Sequence, residues 1–259
     1  MIKIFRKIRQ NLLMENKTGK YFKYAIGEII LVVIGILIAL AINNWNQNRI
    51  NTDKQEGYLI GLKNDLEKQI TSFNTLIEFY ELTISNGESI LIDFSSIGKL
   101  LEIDSINRKL SKLMYTRSYP EITTTFNELN STGQLNLIKE KTLRSEVIKY
   151  YQNSENNKKA IESNDENVYA NQIFPVIKSN IIIRPENFNY ENRKINLVDN
   201  LKAVFENNLN NPSKEFDLVN AISMRIIVAN INKERIEDVK NEAELLLNIM
   251  NSELMKMNP

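Results

Sequence analysis

Residues 24–45 read YAIGEIILVVIGILIALAINNW, and no other stretch limits the chain as strongly. From Ala25 to Ile42 there are 18 residues with one charge, Glu28. Continued through Gly27, Gly35 and Ala39 to Trp45 as a helix, the run is about 31 Å long at about 1.5 Å per residue, which matches a bilayer core. It shows no polar face over about four turns, which sets it apart from an amphipathic core helix. A membrane span over residues 25–45 is therefore expected.

The flanks give the span a direction. Lys3, Arg6, Lys7, Arg9, Lys17, Lys20 and Lys23 precede it, whereas residues 43–57 contain only Arg49 and Lys54 as bases. Because basic residues are retained on the cytoplasmic side, the N-terminus is expected inside and the chain from about residue 46 outside, in the periplasm of a bacterial inner membrane. Lys17, Lys20, Tyr21, Lys23 and Tyr24 at one end and Trp45 at the other are placed as interface anchors. The competing reading is a cleaved signal peptide, since Ala39-Leu40-Ala41 fits a small-x-small cleavage site. That reading needs a basic leader of nearly 30 residues, so an uncleaved anchor is expected. Gly35 and Ala39 form a small-xxx-small pair that would let two spans approach closely, though such pairs also arise by chance. Glu28 reads either as a solvated carboxylate near the cytoplasmic interface or as an intramembrane partner site. Upstream, Ile4, Phe5, Ile8, Leu12 and Leu13 fall on one helical side and the bases on the other, so residues 1–24 read as an amphipathic segment on anionic lipid.

Charge and composition then narrow the function. Residues 1–49 carry eight Lys/Arg against Glu15 and Glu28, net +6, leaving 25 against 30, net −5, for the rest. A mildly acidic body argues against nucleic acid as its partner. The chain has no cysteine and no histidine, which removes disulfides, thiolate nucleophiles, Cys/His zinc sites and the side chain that titrates nearest neutral pH. No GxGxxG, P-loop, GxSxG or EF-hand pattern is present. Acidic pairs such as Glu234/Glu237 and Glu242/Glu244 read as solvated helix faces. No catalytic residue, cofactor or metal ligand can be named, and an enzyme is not expected.

Residues 46–259 read as an elongated all-α domain. Leu59, Leu62, Leu66, Ile70, Phe73, Ile77, Tyr80 and Ile84 recur at steps of three and four, one stripe on a long helix. Gly57 and Gly61 are the weak points of that helix, each costing about 1 kcal/mol against Ala, and their spacing could equally mark a close helix contact. A second stripe, Ile222, Arg225, Ala229, Asn232, Ile236, Val239, Ala243, Leu246, Met250 and Met257, keeps heptad-like spacing. Two long helices so far apart in sequence suit antiparallel, coiled-coil-like packing. Arg225 and Asn232 either set register inside it or face solvent at its edge.

Between them lies TTTFNELNSTGQLNLIKEKTLRSEVIKYYQN, residues 123–153, which reads as a helical hairpin. One helix ends at Gly133, suited to a left-handed cap, and the next is expected to start at Thr142. Ser131, Thr132, Gln134, Arg144 and Tyr151 could line a polar pocket at the turn with Arg144 as an anion ligand, or serve as helix caps and local partners. A further helix is expected to be interrupted or ended near Pro175. Ile181-Ile182-Ile183 is strand-like but lacks a pairing partner. Residues 184–194 read as a loop, and Leu197 to Leu209 as a helix ending at Asn210-Asn211-Pro212.

The blocks FRKIRQNLL and NKTGKYFKYAIGEIILVVIGILIALAINNWN, with FNELNSTGQLNLIKEKTLR and its following YY, resemble an uncharacterised family of Bacteroidota single-pass membrane proteins, domain of unknown function 6090. The resemblance implies a single-pass protein with a helical exported body. It brings no activity, ligand or active site. The function expected is a non-enzymatic interaction, scaffold or accessory role beside the bilayer, with a second copy or another membrane protein as partner. The alternative is a ligand-sensing bundle that signals through the span, its small molecule unknown.

Overall fold

The computed structural model of the protein describes residue 14 and residues 18–183 and 199–257. The amphipathic reading of the first residues, the anchor Lys17 and the loop expected at 184–194 lie outside the described residues, and the side chains of Lys20 and Tyr21 do as well. Among the described residues the chain is all helical, with no strand. It divides into two compact units, Met1–Gly57 and Tyr58–Pro259.

In the first unit the described backbone is the N-terminal part of α1, Thr18–Ile97. Among the described residues this helix contains the one stretch long and apolar enough to be a candidate membrane span, and none of its most apolar window is buried. The side chains of Ile29, Val33, Leu37 and Leu40 all stand exposed.

The helix continues without a break past Gly57 and Gly61. Burying Leu59, Leu62 and Leu66 completely contributes about 1.5–3 kcal/mol each, which outweighs about 1 kcal/mol of lost propensity per glycine. Only one of the two glycines has a close approach to explain it. A Cβ on Gly61 would lie 2.9 Å from Thr125 Cγ2, whereas one on Gly57 would meet nothing within 4 Å.

The second unit runs up, down, up and down. Residues 58–97 of α1 lead to a short 3-10 turn, Leu100–Glu102, and to α2, Ile106–Lys112. The chain then returns as an extended strap into α3, Thr124–Ser131. The strap is tied along α1 in antiparallel order by side chains of α1. Arg117 lies over the Phe79 ring, Tyr119 packs edge-on against Phe73, and the Tyr58 hydroxyl lies 3.0 Å from Glu128. Gln69 supplies what a neighbouring strand would: its amide donates to the Pro120 carbonyl and its oxygen accepts from the Ile122 N–H at 2.7 Å. Asp65 accepts the Thr125 N–H at 2.8 Å, capping α3 from another helix where Thr123 provides no cap of its own.

Gly133 adopts φ 67°, the left-handed turn expected of it, and a 3-10 turn, Gln134–Leu137, leads to α4, Lys141–Asn164. The N-cap is not the expected Thr142 but Glu140, two residues ahead, its carboxylate accepting from the Thr142 and Leu143 N–H groups. Those two bonds hold its carboxyl below the ordinary glutamate value. The interruption expected near Pro175 lies just ahead of it. The chain passes from α4 into a π-helical stretch, Asp165–Ile173, and then into α5, Phe174–Ser179, with Pro175 in its first turn. Proline has no N–H to give and its ring crowds the carbonyl four residues back, so the added residue per turn is taken up ahead of it. The strand-like Ile181–Ile183 is irregular, and Asn107 bonds both backbone groups of Ile182, at 2.9 and 2.8 Å.

After α6, Asp199–Leu209, comes α7, Pro212–Met257, of 46 residues. Asn211 caps it through bonds from Ser213 and Lys214 N–H, with Pro212 in the first position where no N–H is needed. Lys233 pairs with Glu81, while Ile226 sits against Gly87, so α7 runs antiparallel to α1. Asn153 bonds Glu242 and Asn164 bonds Asn232, so it runs antiparallel to α4 as well. The apolar positions form two clusters. On α7 one takes Ala229 to Met250 and the other Leu218 to Val228. The expected stripe of α7 is buried except for Met257, which is partly covered; on α1 Leu59, Leu62, Leu66, Phe73 and Tyr80 are buried, Ile70, Ile77 and Ile84 are partly covered, and Leu76 is added.

Candidate functional site

Two places in the second unit gather side chains with chemistry. The first is a cleft of about 490 Å³ between the strap and α4. Its wall is aromatic because Phe126 of α3 stacks on Tyr151 of α4, ring centroids 4.1 Å apart and planes 13° apart. Tyr119 and Ser154 share a buried hydrogen bond of 2.9 Å beneath it. Lys158 closes one end, 2.6 Å from Glu121 and 3.9 Å from Glu155, and Asn127, Gln152 and Asn156 bring amides to the rim. Burial pushes the Tyr119 phenol up to about 12 and that of Tyr151 higher still, so neither is a base at neutral pH. An aromatic wall with a polar rim and no activated nucleophile suits binding.

Of the residues singled out at the hairpin turn, Tyr151 alone lines this cleft. Ser131 and Thr132 donate to the Glu128 carbonyl at 3.2 and 2.7 Å, closing the end of α3. The Gln134 side-chain oxygen lies 3.1 Å from the Tyr58 hydroxyl, and Arg144 reaches the Ile138 carbonyl at 3.4 Å. Glu121, Lys158 and Tyr119 were not legible in advance, because the strap that carries Tyr119 and Glu121 has no periodicity. Phe126, by contrast, stands inside the distinctive TTTFNELN stretch.

The second place is the interior around Arg225, where the two apolar clusters meet on α7. Arg225 and Asn232 are both completely buried, which decides between the alternatives in favour of the core. Arg225 Nη2 donates to the Tyr115 carbonyl at 2.6 Å, and the guanidinium lies 4.3 Å from the centroid of the Tyr169 ring. Tyr169 is itself fixed by donating to the Met114 carbonyl at 2.6 Å. It belongs to the π-helical stretch, as does Asp165, the carboxylate nearest Arg225 in electrostatic effect. Burial raises Asp165 and Arg225 pulls it back down.

Along α1, Gly35, Ala39 and Ile42 are exposed, Ala25, Gly27 and Glu28 half-buried, and Lys23, Tyr24 and Trp45 exposed at the two ends of the apolar run. The Arg49 guanidinium stands over the Trp45 ring at 5.7 Å. Among the described residues no three acidic side chains gather where they could share a metal ion.

The sequence model of a family of unknown function, DUF6090, matches residues 28–169, more than half of the chain. The match takes in most of the apolar run, the strap and the whole cleft. No curated protein and no solved structure matches.

Proposed function

The chain belongs to that family of unknown function, DUF6090, and from this premise we propose a membrane-anchored interaction or scaffold protein, an accessory to another membrane protein. In this reading residues 1–24 are cytoplasmic, 25–45 span the inner membrane, and 46–259 form the periplasmic domain. Support for the anchor comes from an apolar window with nothing packed on it and from the basic flank that precedes it.

The observation that carries the interaction role is the outer face of α7. While its inner stripe fills the core, Met224, Ile227 and Ile231 stand 41%, 52% and 41% exposed at steps of three and four, and Leu245 and Ile249 resume the row two heptads on. Glu234, Asp238 and Glu242 interrupt it. Apolar side chains repeated at helical spacing and left uncovered suit a partner helix. The test is photo-crosslinking from position 227 in the full chain in its native membrane. A discrete crosslinked species is expected; monomer alone from position 227, with crosslinks equally absent from a control at Lys139, overturns the interaction role.

A second reading, a ligand-sensing bundle, has one observation in its favour: the aromatic cleft beneath Phe126. A thermal-shift screen of periplasmic metabolites separates the two, because a ligand of the cleft stabilises the fold with concentration and Phe126→Ala removes the effect.

A further inference from the structure

We propose that Lys112 and Arg117, with the apolar side chains beside them, form a binding site for a small organic oxyanion: a carboxylate or phosphate carried on an apolar body. The site is a further cleft of the second unit, of about 620 Å³, between α1 and the start of the strap. That volume falls within the range of small-molecule sites. Phe79, Leu82, Thr83 and Asn86 form its α1 wall and share one helix face at steps of three and four. Lys112, in the last turn of α2, and Arg117, on the strap, supply the charge. The cleft shares no residue with the outward row of α7 or with the cleft beneath Phe126, so its failure would leave the proposed interaction role untouched.

The sign of the charge sets this cleft apart. No carboxylate lines it, although residues 50–259 carry a net charge of −5. Several cations of the same unit are paired across elements: Lys109, one turn before Lys112 on α2, lies 2.6 Å from Asp93, Lys158 lies 2.6 Å from Glu121, and Lys233 lies 3.5 Å from Glu81. Among the described residues neither Lys112 nor Arg117 has such a carboxylate. Arg117 is nonetheless held in place. Its guanidinium lies 5.4 Å from the centroid of the Phe79 ring, a contact with the π face that leaves the N–H donors to an incoming acceptor. A guanidinium fork matches two oxygens of a carboxylate or phosphate, and an ammonium adds a point charge. The lining also explains why the ligand is organic. Leu82 stands 63% exposed and Phe79 is half-buried, an apolar surface that a bare inorganic ion leaves in water and an apolar body covers.

The experiment is calorimetric titration of phenyl phosphate and of benzoate into the full chain in detergent micelles, with titrations into empty micelles subtracted. Inorganic phosphate and benzyl alcohol are the comparisons. At least one of the two aryl oxyanions is expected to bind, about tenfold more tightly than inorganic phosphate, and benzyl alcohol is expected not to bind. Arg117→Gln and Lys112→Gln are each expected to weaken binding about tenfold, the worth of one charge-assisted hydrogen bond. Leu82→Glu, which brings a carboxylate to the cleft and leaves both cations in place, is expected to weaken it as well. Phe126→Ala, in the other cleft, is expected to leave it unchanged. Lys112, Arg117 and Leu82 are exposed, so these variants are expected to fold, and unaltered melting midpoints check that they do. Absence of binding by both aryl oxyanions overturns the proposal. So does equal affinity for inorganic phosphate or for benzyl alcohol, and so does binding that survives Arg117→Gln and Lys112→Gln together.

Discussion

Two helical stretches of this chain are rich in large apolar residues, and they behave oppositely. From Ile26 to Trp45 along α1 such residues point in every direction, and none of the most apolar window is covered. Along α7 they fall into two rows, one filling both core clusters and one facing outward, with Arg225 and Asn232 set into the buried row. The first stretch has no polar side, which is what makes it a candidate membrane span. The second has a side in the core and a side left exposed. Continuity and periodicity of apolar residues are thus different messages, even where the amount of apolar surface is similar.

That contrast can be broken most easily at adjacent residues of α7. Leu246→Ala empties a fully packed position and is expected to cost about 2–5 kcal/mol in denaturant unfolding, while Leu245→Ala, next to it and exposed, should stay within about 0.5 kcal/mol. Equal costs would mean that the outward row is covered within one chain. In the other stretch, Leu37→Arg places a charge mid-run at about 2.5–3.5 kcal/mol, and carbonate extraction should show part of the protein leaving the membrane fraction. Unchanged retention would sink the anchor.

Smaller effects probe the glycines. Gly57→Ala is expected to raise stability by about 1 kcal/mol, since its Cβ enters open space. Gly87→Ala should lose that gain, because its Cβ would sit 2.7 Å from Ile226 Cγ1 on α7. The least effect belongs to Glu140→Gln, read as a shift in melting temperature. The folded carboxyl is held below its ordinary value, so its stabilisation is present above the ordinary glutamate range and fades as pH falls through the lowered value. The variant should therefore melt lower than the unaltered protein at neutral pH and alike in strong acid.

Local signals were legible wherever a residue's role depends on its neighbours in sequence. The inner row of α7 could be read position by position, because burial follows a period of three to four residues. Gly133 could be read because a helix end needs a left-handed residue and glycine adopts one freely. The strap was not legible. Its partners, Gln69 and Asp65, lie on α1 more than fifty residues away, and a glutamine that replaces a strand leaves no pattern in its own surroundings. The same holds for Asn107 and the strand-like isoleucines after residue 180. Thr142 was preferred as a cap on residue type, but Glu140 could bond two N–H groups at once, which geometry alone reveals.

By itself, the sequence determined that this is an all-helical chain with one uncovered apolar run, two long apolar stripes and no histidine or cysteine chemistry, because composition and period act over a few turns of helix. The tertiary structure decided what long-range contacts decide. It brought Tyr119 of the strap over Ser154 of α4 to floor a cleft, and it turned Arg225 and Asn232 from polar intrusions into buried members of the core. Whether a polar side chain at a core position is an edge residue or a site depends on what faces it across the bundle, and that facing is set by packing between helices far apart in sequence.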